Sequence, residues 1–276
     1  MKKCAVINDL SGFGKCSLTA SIPLMSAMGV EVHPLLTAVL SNQTAYKSFK
    51  SLSLTDTMFP FIEEWKKLGA SFDGILTGFV TDKKQLEIIS KFIDEFKGKN
   101  TLVVADPIMA DNGALYGGYD MSMCDVIRKF CFKADVITPN TTELAILAYK
   151  DDCRVFDDEF INNYGNIKES CLKLYDKGIK RIVVTGYKEN DFISNIIFDN
   201  GKFDKATFKK VGGYYSGTGD VFASVLTGSL LNGKSLVEAC EKAGEFITNT
   251  IKVTEVTDGN DGIAFEKNLK ELISYE

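Results

Sequence analysis

Hydrophobic and polar positions follow two different periods along the chain. Short runs rich in Val and Ile are separated by longer stretches in which apolar residues return every three or four positions, as in Lys83–Phe96 and Asn166–Tyr175. The longer stretches predict helices, and the short runs predict buried strands. The predicted strands are Cys4–Ile7, Val30–Leu36, Gly74–Thr77, Leu102–Ala105, Val136–Thr138 and Arg181–Thr185. Strands that alternate with helices indicate an α/β fold with a mostly parallel sheet.

The last third of the chain has a different pattern. Phe192–Asp199 and Lys202–Lys210 flank Asn200-Gly201, which predicts an antiparallel hairpin at one edge of the sheet. No repeat, low-complexity tract or Pro/Gly-rich linker divides the chain, so residues 1–276 are predicted to form a single domain. Further helices are predicted at Ser224–Leu231, Leu236–Ile251 and Phe265–Ile273.

Composition and charge narrow the class of protein. With 45% hydrophobic residues in 276, the chain can bury a large core. A net charge of -5, without a basic run, argues against nucleic acid as a partner. No apolar run has the length of a membrane span or a signal peptide, so no membrane association is expected.

The cysteines and the single histidine exclude several kinds of site. Seven scattered cysteines without a C-x-x-C pair fit a reducing, cytoplasmic compartment and give no sign of a zinc site. His33 is the one histidine and lies in a predicted strand, which argues against a Ser-His-Asp hydrolase.

Each predicted parallel strand is followed by small or polar residues. The carboxyl ends of parallel strands lie at one edge of a sheet, where ligands bind in such folds. The residues at this edge are Asn8–Gly12, Ser41–Thr44, Thr77-Gly78, Asp106-Pro107, Pro139-Asn140 and Thr185-Gly186. Six such exits together predict a polar ligand cleft.

A glycine-rich loop, Gly212–Asp220, runs directly into the apolar segment Val221–Leu231. Glycines before a helix let phosphate oxygens approach unpaired backbone N–H groups, so the loop predicts an anion site. Asp220 beside it is predicted to accept a proton from an attacking hydroxyl. The alternative is an ordinary helix cap. A Walker loop is not supported, because Gly12–Ser17 lacks the first glycine and has Cys16 after Lys15.

Three carboxylates, Asp106, Asp111 and Glu143, are predicted to lie near the same edge. Oxygen ligands of this kind suit Mg²⁺ shared with nucleotide phosphates, directly or through water. Taken singly, Asp106 before Pro107 is typical of a turn, and Glu143 is typical of a first helical turn. The metal hypothesis therefore depends on the three being together.

Five ordered segments carry a family resemblance. They resemble the vitamin kinase branch of the ribokinase-like superfamily, most closely the pyridoxal kinases, from about Val6 to the helix after Asp220. The segments are Leu40–Tyr46, Ile75–Asp82, Ala105–Asp111, Ala134–Asn140 and Ser216–Ser224.

The resemblance implies a three-layer α/β/α sandwich, usually homodimeric, in which ATP phosphorylates the 5′-hydroxymethyl group of pyridoxal or a related B6 vitamer. It implies ATP and Mg²⁺ as cofactors, and leaves a monovalent cation open. Asp220 would be the general base, and the transferring phosphate would lie on Gly217, Thr218 and Gly219. ATP and cations would be held by Asp106, Asp111, Thr138, Asn140, Glu143, Thr185, Gly186 and Val211. The substrate would contact Asn8, Asp9, Ser11, Gln43, Thr44 and Phe79.

Three residues depart from the family's pattern on the vitamin side. The family usually has a histidine at Gln43, a tyrosine at Phe79 and a serine at Asn8. Since a mismatch at a buried polar contact shifts substrate preference, the vitamer stays open.

Other functions also stay open. Asp9-Leu10-Ser11-Gly12 resembles the start of hydroxymethylpyrimidine kinases of thiamine synthesis, which makes that activity the first alternative. A non-catalytic B6-binding protein is a second alternative, which the intact Asp220 disfavours. A ribokinase-like sugar kinase is a third, disfavoured by the aromatic Tyr46 and Phe79.

A second glycine-containing loop, Asn112–Tyr119, follows Asp111 directly. Because it begins at a predicted nucleotide contact, it is a candidate lid that would exclude water from the reaction. The alternative is a surface loop without a role in the reaction, which would have the same composition.

Overall fold

Strands and helices follow one another along the chain in nearly the predicted order. The computed structural model describes residues 1–150, 152–255 and 258–273. The strands in this part of the chain are β1 Lys2–Ser11, β2 Val30–Leu40, β3 Ser51–Ser53, β4 Gly74–Thr77, β5 Leu102–Ala105, β6 Ala110–Asp111, β7 Ala114–Leu115, β8 Val136–Ile137, β9 Arg181–Glu189, β10 Phe192–Asp199 and β11 Lys202–Lys209. The α-helices are α1 Ser17–Ala27, α2 Thr55–Lys67, α3 Lys83–Phe96, α4 Met121–Cys131, α5 Thr141–Tyr149, α6 Asp158–Ile161, α7 Tyr164–Asp176, α8 Thr218–Leu231 and α9 Leu236–Lys252. Short 3₁₀ helices lie at Cys153–Phe156, Gly259–Asp261 and Phe265–Glu271.

The central sheet has the strand order β11-β10-β9-β8-β5-β4-β1-β2-β3. From β9 through β2, each neighbouring pair is parallel. The two edges are antiparallel, because β10 and β11 form a hairpin beside β9 and β3 returns along β2. The predicted mostly parallel sheet is confirmed.

Residues of the central strands alternate between two hydrophobic cores. In β1, Ala5 and Ile7 point into one core together with residues of α2, α3, α4, α5 and α7. Cys4 and Val6 point into the other core, which is completed by residues of α1, α8 and α9. Because successive side chains of a strand face opposite ways, each strand serves both cores. The result is the three-layer α/β/α sandwich.

The Asn200-Gly201 hairpin forms as predicted. Asn200 has φ of 49° and Gly201 has φ of 89°, and the turn joins β10 to β11. Two consecutive positive φ values are the requirement of the tight turn that Asn-Gly favours. The hairpin lies at the edge of the sheet, which confirms its predicted place.

Several element boundaries differ from the prediction. β1 continues through Ser11, so Asn8–Ser11, which were expected after this strand, form its last part, where the register with β2 shifts between Asn8 and Leu10. Polar residues have low strand propensity, and pairing with β2 overrides it. Helix α8 begins at Thr218 and so includes Asp220 in its first turn. The predicted last helix is a 3₁₀ helix over Phe265–Glu271.

The cysteines and His33 occupy structural positions. All seven cysteines are free thiols, and only Cys153 is exposed. Cys124 and Cys131 are both buried on α4, seven residues apart on one face. His33 lies on β2 beside the rings of Trp65 and Phe72. Across the residues that the structure describes, no helix has the length and apolar character needed to cross a membrane.

Candidate active site

A cleft of about 850 Å³ opens at the edge of the sheet where the parallel strands end. All but one of the predicted site residues line it. They are Asp9, Ser11, Gln43, Thr44, Phe79, Asp106, Asp111, Thr138, Asn140, Glu143, Thr185, Gly186, Val211, Gly217, Thr218, Gly219 and Asp220. The exception is Asn8, which lies beneath the cleft surface and is 3% exposed. The structure thus brings the predicted residues together, while their individual roles stay predictions.

Asp220 is half-buried at the floor of the cleft. Its Oδ1 accepts a hydrogen bond of 3.0 Å from Asn8 Nδ2, and its carboxylate also accepts the backbone N–H of Ser17. Ser17 is the first residue of α1, and Asp220 lies in the first turn of α8. The carboxylate therefore sits at the positive ends of two helix dipoles, which favour its charged form.

Burial raises the pKa of Asp220 to about 6, and the charge of Asp9 adds to the rise. The hydrogen bonds from Ser17 and Asn8 oppose this effect. A carboxylate with a pKa near 6 is ionised at neutral pH and is still a stronger base than an ordinary aspartate. Asp220 thus has the electrostatic properties of a general base.

Gly217 lets the two helix N-termini approach one another. It precedes α8 with φ of 78°, and a Cβ atom at this position would lie 2.2 Å from the carbonyl oxygen of Lys15. A larger residue would meet both a disfavoured backbone conformation and a clash with the chain before α1. Gly219 is exposed, and the nearest neighbour of a Cβ there would be Asp106 Oδ2 at 3.9 Å. The first amides of α8 therefore border open space suited to an anion.

Asp106 faces Asp220 across the cleft floor. Its Oδ1 accepts a hydrogen bond of 3.1 Å from Thr138 Oγ1. Burial, together with the charge of Asp220, raises the pKa of Asp106 to about 8. Because the charge of Asp220 disfavours ionisation of Asp106, a cation bound here would stabilise the charged form of Asp106.

Glu143 and Asn140 form a capping box at the start of α5. Asn140 Oδ1 accepts the N–H of Glu143, and Glu143 Oε2 accepts the N–H of Asn140, both at 2.9 Å. Glu143 Oε1 also accepts the N–H of Met109 at 3.0 Å. Asn140 Nδ2 donates to the carbonyl of Ala110 at 2.7 Å. This pair holds the segment after β5 against α5, so both side chains already have protein partners.

Asp111 is also engaged by its neighbour. Its two oxygens accept hydrogen bonds from the backbone and side-chain nitrogens of Asn112, each at 2.9 Å. Within residues 1–150, 152–255 and 258–273, no three His, Cys, Asp or Glu side chains are grouped closely enough to hold a metal ion. The predicted trio of Asp106, Asp111 and Glu143 is therefore not assembled as a direct ligand set, and binding through water stays a prediction.

The candidate lid is an ordered hairpin in its first half, where β6 pairs with β7. Gly113 N donates to Thr142 Oγ1 at 3.0 Å, and Lys188 Nζ donates to Asn112 Oδ1 at 2.9 Å. A Cβ on Gly113 would lie 2.8 Å from the carbonyl oxygen of Phe156. The start of the loop is thus anchored, whereas Tyr116 and Gly117 line the cleft. Closure of the loop stays a prediction.

The end of the cleft around Gln43, where the substrate contacts are predicted, is formed largely by loops. Gln43 is buried, with Oε1 accepting from Ala45 N at 2.7 Å and Nε2 donating to the carbonyl of Asn260 at 3.2 Å. Tyr46 Oη donates to Asp261 Oδ1 at 2.5 Å. Both polar atoms of Gln43 therefore have internal partners, and its side chain connects the loop after β2 to residues 258–262.

Phe79 and Asp9 complete this end. The ring of Phe79 is parallel to that of Tyr119, with a centroid distance of 6.1 Å. Asp9 is 3% exposed and accepts hydrogen bonds from Ser11 Oγ at 2.9 Å and Ser17 Oγ at 2.5 Å. Burial raises the pKa of Asp9 above its ordinary value. An apolar ring beside buried polar groups is a typical environment for a heteroaromatic ligand.

One wall of the cleft was not predicted from the sequence. Lys188, Asn195, Phe208 and Thr248 line it, from β9, β10, β11 and α9. Lys188 follows Gly186 by two positions on β9, which runs past its predicted end to Glu189, so the polar pair Thr185-Gly186 was a usable signal. The packing of α9 on β11 had no signal in the sequence. It depends on a contact between distant parts of the chain, since a Cβ on Gly244 would lie 2.2 Å from Phe208.

Comparison with known proteins points to one group of enzymes. The family model described as phosphomethylpyrimidine kinase matches residues 17–264. A pyridoxal kinase of Dictyostelium discoideum is 30% identical over 278 residues, covering 94% of this chain and 87% of that protein. A hydroxymethylpyrimidine/phosphomethylpyrimidine kinase of Bacillus subtilis is 24% identical over 268 residues, covering 94% of this chain and 88% of that protein. A crystal structure from Bacteroides thetaiotaomicron, described as a putative phosphomethylpyrimidine kinase in a form with pyridoxal, is 42% identical with a TM-score of 0.90 and covers 98% of this chain and 95% of that one.

Proposed function

Since this chain belongs to the phosphomethylpyrimidine kinase family, we propose that it transfers a phosphoryl group from ATP to the 5′-hydroxymethyl group of pyridoxal or a related B6 vitamer. The product is the vitamer 5′-phosphate, as in salvage of the vitamin. The observation that carries the proposal is the placement of Asp220 at two helix N-termini on the floor of the cleft. The pyridoxal kinase of Dictyostelium discoideum and the pyridoxal in the Bacteroides thetaiotaomicron structure support the substrate.

The chemistry follows from the position of Asp220. Its carboxylate accepts the proton of the substrate hydroxyl while the hydroxyl oxygen attacks the γ-phosphorus of ATP. The bond from the γ-phosphorus to the bridging oxygen breaks, and ADP leaves. The N–H groups of Gly217, Thr218 and Gly219 donate to the transferring phosphoryl group, whose charge they stabilise. The phosphoryl group would therefore lie at the N-terminus of α8 both during transfer and as part of the product.

ATP would lie along the wall formed by Thr138, Asn140, Thr185, Gly186 and Val211. Lys188 lies on the same wall and would add a positive charge near the phosphates.

Magnesium fits this cleft at Asp106. The Asp106 carboxylate lies beside Asp220 without a Lys or Arg ion pair within the described part of the chain. A magnesium ion bound there would neutralise charge on the phosphates. Glu143 and Asp111 would act through water, since their oxygens already accept protein hydrogen bonds. A monovalent cation is left open.

The substrate ring would lie between Phe79 and the loop after β2. Asp9, Ser11 and Thr44 line this end. The exposed Thr44 would hydrogen-bond a ring substituent, whereas Asp9 and Ser11 are hydrogen-bonded to each other and would form the polar floor beneath the ring. Gln43 would act by holding the loop, because both of its polar side-chain atoms have internal partners.

The chain is proposed to form a homodimer through the edge of the sheet. Leu10, Val39 and Leu52 are in register across β1, β2 and β3, and their exposed fractions are 37%, 39% and 64%. A row of exposed apolar side chains on adjacent strands is typical of an interface. Sedimentation velocity would show a dimer for the native chain and a monomer for Leu52→Glu; a native monomer would contradict the proposal.

The compartment is proposed to be the cytoplasm. Seven free thiols, six of them buried, are compatible with a reducing environment. Measuring the enzyme in a soluble cell fraction against a membrane fraction would test this placement.

A hydroxymethylpyrimidine kinase is the second candidate. The observation in its favour is the pairing of Ser11 with Asp9 in the segment that resembles those kinases, together with the relative from Bacillus subtilis. A non-catalytic B6-binding protein would keep the cleft without using Asp220.

The experiment is ADP release with Mg-ATP and, in parallel, pyridoxal, pyridoxine, pyridoxamine, hydroxymethylpyrimidine and ribose. Turnover with a B6 vitamer as the best substrate is expected. A preference for the pyrimidine would favour the second candidate. Binding of a vitamer without turnover would favour the binding protein, and turnover of ribose alone would overturn the vitamer assignment.

A further inference from the structure

Asn8 contacts the predicted base and yet is not on the cleft wall. It is 3% exposed, lies on β1 and is 212 residues away from Asp220 in the sequence. Its Nδ2 donates to Asp220 Oδ1 at 3.0 Å. The side chain therefore lies beneath the cleft surface, against the Asp220 carboxylate.

The orientation of the Asn8 amide is determined by its surroundings. Its Oδ1 accepts two backbone N–H groups, from Phe79 at 2.8 Å and from Asp9 at 3.0 Å. Since an N–H donor can only be met by the oxygen of the amide, the nitrogen must face Asp220. The amide cannot flip without losing both bonds and placing oxygen against a carboxylate.

Gly78 makes room for the Asn8 amide, because it has no side chain. A Cβ on Gly78 would lie 2.5 Å from Nδ2, 2.7 Å from Cγ and 2.8 Å from Oδ1 of Asn8. Such distances are far below van der Waals contact, so the amide occupies the space where any other residue would put its Cβ. The Asn8 amide thus packs closely between the backbone of β1 and the turn after β4.

The other groups that face Asp220 do not offer the same restraint. The charge of Asp9 raises the pKa of Asp220, the pKa of Asp106 is itself raised by the charge of Asp220, and the Cys16 thiol is held protonated because burial and nearby carboxylate charges raise its pKa to about 12. The second donor is the backbone N–H of Ser17, which no side-chain change removes. Among the side chains that the structure describes around Asp220, Asn8 provides the hydrogen-bond donor.

We propose that Asn8 is a positioning residue for the phosphoryl transfer: it holds the Asp220 carboxylate in one orientation and leaves the other oxygen toward the substrate hydroxyl. This inference rests on the proposed kinase function.

Asn8→Asp is the variant that tests this role. The substituted side chain has the same shape and keeps an oxygen for the N–H groups of Phe79 and Asp9, but turns a second oxygen toward Asp220. We expect kcat to fall on the order of 100-fold with KM for ATP and for the vitamer within about threefold, because the base is misplaced while the binding surfaces stay intact. Asn268→Ala, a buried asparagine outside the cleft, is the matched control and should keep native kinetics.

A double mutant separates positioning from a general structural effect. In an Asp220→Ala background, Asn8→Asp should change the residual rate by less than about threefold, since residues that act through one group are not additive. The same loss of kcat in both backgrounds, or a native kcat in Asn8→Asp, would overturn the proposal. If Asn8→Asp does not fold, Asn8→Ala replaces it, with the same split between kcat and KM. A native enzyme without vitamer turnover would refute the proposed function, whereas an active native enzyme with unaffected variants refutes only the role of Asn8.

Discussion

The two ends of the cleft are held by different kinds of structure. Around Asp220, the side chains come from β1 and from the first turns of α1 and α8, which are fixed by the two cores. Around Gln43, loop is joined to loop by side-chain hydrogen bonds to residues 258–262. The first end can hold reacting atoms within a fraction of an ångström, and the second can change its shape with little disturbance of the core. We expect substitutions at the first end to lower kcat and substitutions at the second to change KM.

The largest effect is expected from Asp220→Asn. An amide cannot accept the proton, so kcat should fall on the order of 1000-fold while KM for ATP stays within about threefold. Coupled ADP release at saturating substrate measures this. Asp204→Asn, an exposed position on β11, is the control. A kcat within tenfold of the native value would contradict the role of Asp220 as base.

Gly217→Ala should have the next largest effect. The new Cβ would lie 2.2 Å from the carbonyl oxygen of Lys15, at a φ of 78°. We expect kcat to fall on the order of 100-fold and the free energy of unfolding to fall by about 2–4 kcal/mol, as the N-termini of α1 and α8 move apart. Steady-state kinetics and urea unfolding measure the two.

Gly233→Ala is the matched control for this substitution. Gly233 has φ of 84°, and a Cβ added there would meet nothing within 4 Å, so it isolates backbone strain from the clash. Its free energy of unfolding should fall by about 1 kcal/mol, with native kcat. Equal losses in the two variants would show that close approach to Lys15 is unimportant.

The pH dependence should reveal Asp220 as well. Burial raises its pKa to about 6. The carboxylate is therefore protonated below pH 6, and kcat/KM should fall by about tenfold per pH unit there, instead of below pH 4 as for an ordinary aspartate. A profile that is flat down to pH 5 would contradict a buried base.

The raised pKa of Asp220 also makes the free energy of unfolding depend on pH, and this dependence runs in the opposite direction to that of kcat/KM. Between the ordinary pKa of aspartate and 6, the folded chain holds a proton that the unfolded chain has lost. The contribution of Asp220 to the free energy of unfolding is therefore present at low pH and is lost as pH rises through 6. Asp220→Asn should remove this component, which urea unfolding at pH 4 and pH 7 would detect as a changed difference between the two values.

The smallest effect is expected at the loop end. Tyr46→Phe removes the hydrogen bond to Asp261 and leaves the ring. KM for the vitamer should rise about 3–10-fold with kcat within about twofold, because one hydrogen bond of the loop is lost. Tyr175→Phe, on α7, is the control. A fall in kcat larger than the rise in KM would erase the distinction between the two ends.

Much of the framework was predictable from local patterns. Gly74–Thr77 and Leu102–Ala105 are strands with the predicted bounds, and Lys83–Phe96 is a helix with the predicted bounds. Their periodicity is strong, and their ends carry breaking residues. The position of Asp220 in the cleft was also predictable, since a glycine loop before an apolar helix indicates an anion site, with an ordinary helix cap as the alternative.

The remaining features depend on distant contacts. Nothing in the neighbourhood of Asn8 indicates that its amide faces Asp220, or that Gly78 makes room for it. Gln43 was predicted as a substrate contact, and its partner Asn260 lies on a segment that the pattern left unassigned. Side-chain orientation is set by packing between elements, which a one-dimensional pattern does not contain.

The contact between Asn8 and Asp220 also bears on how the protein is made. The two residues are far apart in the sequence, and α8 packs on α1 to bring them together. A ribosome has synthesised most of this polypeptide before the proposed base emerges, so chains that end before Asp220 are expected to be inert. Cutting the chain at the exposed Asn200-Gly201 turn would separate Asn8 from Asp220, so we expect turnover only where the two fragments reassociate.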